Sequence, residues 1–176
     1  IFIFGSSIIK APLLSLLPAG RSINLHLGIS PYYRGAGTNF WPFVNNELEY
    51  VGATLLHIDA GIDTGDIITH VRPRFSADDT VHTVGCKVIA ESAYMLIEVL
   101  RRLRSGEKLP RVPQWSSTGQ RYYRKRDFNE AALKKYHENM QRGIVKEFIA
   151  AKERAIQLVQ PFNSPARFPS PPLAIS

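Results

Sequence analysis

An α/β fold is predicted by three observations. Short β-prone runs near the start are separated by a helix-like stretch. Two later runs are joined by a tight loop, and a long segment then repeats apolar residues at helical spacing. At 176 residues, 44% hydrophobic and 21% charged, the chain suits one domain with a substantial core.

Residues 1–5, IFIFG, are an unbroken apolar run of the kind buried on both faces of a sheet. Such a strand needs neighbours, so a chain that opens on one is expected to belong to a longer polypeptide. Residues 6–17 are predicted helical, with Ser6 or Ser7 as cap and Pro12 limiting where the helix begins. RSINLH, 21–26, is a second strand, and 28–37 are a loop broken by three glycines and a proline. TNFWPFVNNE, 38–47, is a helix or packed turn with Pro42 early in it. Residues 50–58 and 67–75 are two strands pairing as an antiparallel hairpin around the turn-rich loop DAGIDTGD.

A long helix follows, capped by Asp78 or Asp79. Val81, Val84, Val88, Met95, Val99 and Leu103 form its apolar stripe, and Gly106 stops it. Residues 109–123 have little periodicity and include a short strand at most. Residues 127–140 and 143–159 read as two more helices, and the tail 161–176, with five of the twelve prolines, as extended and mobile. The expected organisation is a catalytic unit over 1–128, a helical extension over 129–160 and a Pro-rich tail.

Net charge is +7, and residues 101–126 hold nine Lys or Arg against one Glu, so the rest of the chain is nearly neutral. A basic stretch can bind nucleic acid, and YYRKR mixes aromatics with cations. The plainer reading is a solvated segment whose cations follow a helix C-terminus. The single cysteine, Cys86, cannot form an internal disulfide, which points to a reducing, cytoplasmic setting, and it is expected to be packed within the long helix rather than reactive. No apolar run is long enough to span a membrane.

Two loops carry chemistry. In INLH, Asn24 and His26 are two apart and share one face of a strand. The Asp-rich loop supplies Asp59, Asp63 and Asp66. If the strands holding Asn24 and His57 are adjacent and parallel, amide, imidazole and carboxylate meet at one end of the sheet. That trio suits acyl transfer to an amine: an amide or imidazolium N–H donates to an oxyanion, and the imidazole moves a proton. Each piece also has a bland reading, a satisfied strand-end His and a plain Asp-Gly turn. A metal held by His26, His57 and Asp63 lacks tight ligand spacing.

The pattern INLHLGISPYYRG followed by Trp, then GATLLHIDAGIDTGDII, is similar to the folate-dependent formyltransferases, which include phosphoribosylglycinamide, methionyl-tRNA and sugar N-formyltransferases. The resemblance covers about residues 1–110 and is densest over 22–70. It implies a Rossmann-like formyltransferase fold, present in part with a helical C-terminal extension, and formyl transfer from 10-formyltetrahydrofolate to a primary amine. By resemblance Asn24 and His26 stabilise the oxyanion, and Asp63 supports the charged imidazole. The pterin pocket is then built from Phe4, Gly5, Ser6 and Ile8 on one side and Asp59, Gly61 and Ile62 on the other. No metal is implied.

The sequence also departs from the family. Leu27-Gly28 stands where many members carry Pro-Ser, and LGISPYYRG is closer to the sugar-modifying members. The helical C-terminal third disfavours a tRNA acceptor. The expected partner is a small-molecule amine, with an amino sugar as a candidate, and neither nucleic acid nor membrane; homo-oligomer formation stays open. The alternatives are a 10-formyltetrahydrofolate hydrolase and a nucleic-acid-binding module using 101–126.

Overall fold

The computed structural model describes residues 1–6, 8–117, 119–151 and 154–162. Among these the elements run β1 (Phe2–Phe4), β2 (Ile23–His26), β3 (Tyr33–Gly35), α1 (Trp41–Asn45), β4 (Ala53–His57), β5 (Ile67–Val71), α2 (Val81–Arg104), β6 (Arg121–Tyr123), α3 (Glu130–Arg142) and α4 (Ile144–Ala150). One mixed sheet has the order β1-β2-β4-β5, and β3 pairs with β6 in a second, two-stranded sheet.

The expected hairpin is β4–β5, paired antiparallel. The stripe on α2 also holds: Val84, Val88, Met95 and Val99 are buried against Ala53, Leu55 and Ile68, with Val81 and Leu103 packed beside them. Each fully buried side chain of this size contributes about 1.5–3 kcal/mol. A second, aromatic cluster gathers Tyr32, Tyr33 and Trp41, with Tyr123 stacked on Trp41 at a centroid distance of 4.0 Å. Asn139 on α3 donates its amide to the carbonyls of Phe43 and Val44 at the end of α1.

Several expectations are corrected. The run at 1–5 is exposed rather than buried, with Ile1 58% and Phe4 46% accessible, because β1 is the outer strand of the described sheet. The helix expected over 6–17 is a single 3-10 turn, Leu13–Leu16, started by Pro12, which removes an N–H and constrains the residue before it. Ser7 lies outside the described residues. The cap of α2 is Thr80, which exchanges hydrogen bonds with Thr83; Asp79 instead closes the preceding turn by accepting from Ser76 N and Lys87. Cys86 is exposed on α2 rather than packed. The last helix ends at Ala150. From residue 154 on, the described chain forms no helix, and its main chain bonds to distant partners: Val159 O accepts from His70 N and Gln157 N donates to the Tyr32 hydroxyl. From residue 163 on, the Pro-rich tail lies outside the described residues.

The loop expected at 28–37 contains β3, whose partner β6 is almost ninety residues later and parallel to it. The close fit depends on Gly35. It has φ +90°, and a Cβ there would stand 2.1 Å from Tyr123 O. Gly35→Ala is therefore expected to lose more than about 2 kcal/mol, read as a lower urea midpoint at unchanged m-value.

Candidate active site

β2 runs antiparallel to β4, not parallel as expected, so the loop after His57 emerges beside the start of β2. It reaches Asn24 and His26 nonetheless, because it folds back along the sheet. Ile58 N donates to Ser22 O, and His57 N donates to Asp66 O at the loop's return. Inside the loop the Asp59 carboxylate accepts from Gly61 N at 3.0 Å and from Thr64 Oγ1 at 2.9 Å, a short-range turn closed by a side chain. Asp63 then takes a left-handed backbone, φ +53°, which Asp tolerates better than most residues.

The three side chains converge. Asn24 Nδ2 donates to Asp63 Oδ1 at 3.1 Å, and His26 Nδ1 lies 3.3 Å from Asp63 Oδ2. His26 Nε2 lies 2.9 Å from Tyr33 O. Both ring nitrogens of a buried histidine thus face oxygens that only accept, an arrangement that a ring carrying both protons satisfies in full. Asn24 keeps a second amide N–H that the Asp63 bond does not use. The turn after His26 leaves no room for a side chain at Gly28, where a Cβ would stand 2.7 Å from His26 Nε2. Beyond it, Thr54 donates to Gly28 O and accepts from Ser30 N.

Tyr33 is braced in turn. Its hydroxyl donates to Glu47, and Asn45 Nδ2 donates to the hydroxyls of both Tyr33 and Tyr123. Arg121 grips Glu47 with two guanidinium nitrogens, at 2.6 and 3.1 Å. Burial opposes the Glu47 charge, but hydrogen bonds from Arg121 and Tyr33 outweigh it and hold the carboxyl below its ordinary value.

A cavity of about 960 Å³ opens above the trio. It is lined by Asn24, His26 and Asp63, and also by Phe4, Gly5, Ser6, Ile8, Asp59, Gly61 and Ile62. The opposite wall, Gly37 to Asn39 and Tyr122 to Lys125, was not foreseen as part of a site. Its one sequence signal is the aromatic and basic mixture in YYRKR. Other cations of 101–126 are drawn into separate ion pairs, Arg102 with Glu98 and Glu107, Arg111 with Asp66 and Arg121 with Glu47. His57 does not join His26: its Nε2 hydrogen-bonds with Pro110 O, and burial pushes its pKa down. Among the described residues no group of three His, Cys, Asp or Glu could hold a metal, and no helix is long and apolar enough to cross a membrane.

A mixed α/β fold with an Asn-His-Asp cluster under a deep cavity defines a class, and comparison with known proteins specifies it. Residues 4–100 match the formyl transferase family, and the chain belongs to that family. Among curated relatives, the methionyl-tRNA formyltransferase of Desulforamulus reducens is 36% identical over 107 residues, covering 61% of this chain and 33% of its own length. The chain spans about a third of the length of the curated relatives it matches. Among solved structures, the formyltransferase PseJ of Anoxybacillus kamchatkensis, bound to UDP-4,6-dideoxy-4-formamido-L-AltNAc and tetrahydrofolate, is 28% identical with a TM-score of 0.58, covering 72% of this chain and 64% of that one. An N-formyltransferase of Helicobacter canadensis, bound to folinic acid and dTDP-3-aminofucose, is 29% identical with a TM-score of 0.53, covering 61% and 40%. The expected α/β formyltransferase fold is borne out.

Proposed function

We propose that the full-length protein transfers a formyl group from 10-formyltetrahydrofolate to a primary amine, an amino sugar by preference. The observation that carries this is the convergence of Asn24, His26 and Asp63 on the wall of one cavity. The cavity suits a reduced folate. Phe4, Ile8 and Ile62 offer apolar faces for a flat ring, and the strand end at Gly5 and the loop at Gly61 offer main-chain groups for its polar edge. Bound there, the folate supplies an activated formyl carbon.

The chain's residues then have three tasks. Asn24 turns its unused N–H toward the formyl oxygen, where negative charge develops. The same oxygen competes with the Tyr33 carbonyl for the proton on His26 Nε2. Asp63 holds the ring by Nδ1 and compensates the imidazolium charge. In the overall reaction the amine nitrogen bonds to the formyl carbon and the bond from that carbon to the folate nitrogen breaks. The proton lost by the amine ends on the folate nitrogen.

The acceptor class is supported by the two solved relatives bound to nucleotide-linked sugars. A second reading, the α-amine of methionyl-tRNA, is favoured by the identity to curated methionyl-tRNA formyltransferases. The test incubates the full-length protein with 10-formyltetrahydrofolate and, in separate arms, nucleotide-linked amino sugars, methionyl-tRNA and no amine. Tetrahydrofolate is expected to appear only with an amine, which gains the mass of a formyl group. Equal formate release without any amine rejects the transferase in favour of a hydrolase, and formylation of the tRNA alone rejects the amino sugar.

A further inference from the structure

The geometry points to Gln114 as a positioning residue that sets the Asp63–His26 contact, an inference that rests on the formyl-transfer reading of the site. Gln114 lies about fifty residues after Asp63, in a segment without regular structure. An antiparallel bridge between Ile67 and Val112 brings the two together, with Ile67 N donating to Val112 O at 2.8 Å and Val112 N to Ile67 O at 3.0 Å. His57 and Arg111 add contacts on either side, to Pro110 O and Asp66. The Gln114 amide reaches furthest into the loop. Its Nε2 donates to Asp63 O at 2.7 Å and to Gly65 O at 2.9 Å.

These two bonds hold the residue at the strained position and the chain just after it. Asp63 sits at φ +53°, a conformation that persists only where its surroundings impose it. Gln114 pins the carbonyl of Asp63 and the carbonyl two residues later. From that backbone the Asp63 side chain reaches Asn24 and His26. Two carbonyl acceptors on the same side also decide which end of the amide faces the loop. The consequence is that Oε1 is buried without a hydrogen-bond partner among the described residues. Leaving a buried acceptor unpaired is unfavourable, so the amide is oriented for the loop and not for its own oxygen. Gln114 does not line the cavity, so its effect passes through Asp63.

The experiment uses Gln114→Met in the full-length protein, which keeps the side chain's reach and removes both donors. Two readouts are needed: steady-state kinetics, and NMR of the protein with ¹⁵N-labelled histidine, compared with Asp63→Asn. The expected result is a fall of tenfold or more in kcat with KM for donor and acceptor within twofold. The His26 ring-nitrogen resonances should move from wild-type values toward those of Asp63→Asn. A kcat within twofold of wild type overturns the inference, and so does a fall in kcat with the His26 resonances unmoved, which marks a general structural role. If Gln114→Met does not fold, Gln114→Glu, which sets a carboxylate against the two carbonyls, is read by the same criteria. A wild-type protein that formylates no amine rejects the reading of the site, while the resonance comparison still decides whether Gln114 governs the Asp63–His26 contact.

Discussion

Asp63→Asn in the full-length protein is expected to lower kcat for formyl transfer by about a hundredfold to ten-thousandfold, the usual contribution of a positioned acid–base group, with little change in thermal unfolding. Asn also tolerates the left-handed backbone required at φ +53°. The Asp59 turn and the Gln114 bonds to the main chain remain. What is lost is the negative charge 3.3 Å from His26 Nδ1 and one of the two acceptor oxygens, since the Asn amide keeps a single oxygen for Asn24 or His26. His26→Ala should match or exceed that loss, since it removes the ring that joins Asp63 to Tyr33 O. Kinetics with circular dichroism on each variant separate chemistry from folding. Unchanged turnover in a folded variant rejects the assigned trio.

Acidification from pH 6.5 toward 4 should remove up to about 3 kcal/mol of stability through His70 alone. This ring is 1% exposed; its Nε2 lies 2.7 Å from Ser30 O, and its Nδ1 accepts from Val159 N at 2.8 Å. Accepting at Nδ1 requires that nitrogen to be bare, so the folded ring is neutral and Nε2 carries the proton toward Ser30. Burial lowers its pKa to about 4, against an opposing effect of the Ser30 bond. The unfolded chain therefore binds the extra proton first as pH falls. The stabilisation is complete above the unfolded value and is lost as pH drops through the folded one. Urea unfolding of wild type and His70→Gln at pH 7.5 and 4.5 isolates this contribution, because the carboxylates common to both cancel in the difference. Equal pH dependence in the two proteins counts against it. The consequence reaches the site, since His70 on β5 holds Ser30, in the turn after His26, and Val159, in the segment after α4.

The parts of the fold legible in the sequence are those whose signals are local. The stripe Val84, Val88, Met95 and Val99 has a helical period whatever it packs against, and Asn24 and His26 share a face because strand side chains alternate. The hairpin follows from two apolar runs and a turn. The parts that were misread depend on distant partners. Residues 154–159 suit a helix by themselves, but their main chain bonds to His70 and Tyr32 instead. The run at 1–5 reads as buried by composition, but its burial depends on a neighbouring strand, which the described sheet does not provide. YYRKR reads as a solvated basic stretch or, less plainly, a surface for polyanions, and only the pairing of β6 with β3 makes Tyr122 to Lys125 a cavity wall.

By itself, the sequence determined which residue types stand at the candidate site and on which short elements: an amide and an imidazole two apart on one strand, and an acid on a Gly-rich loop. Those assignments rest on periodicity and backbone freedom, which act within a few residues. Only the tertiary structure decided that β2 and β4 run antiparallel, that the loop folds back over β2, and that Tyr33 O meets His26 while Gln114 holds the Asp63 main chain. Those contacts join residues between seven and fifty-one positions apart. Their formation depends on which strands pair and on how the loops close, and neither is written in any one stretch of the chain.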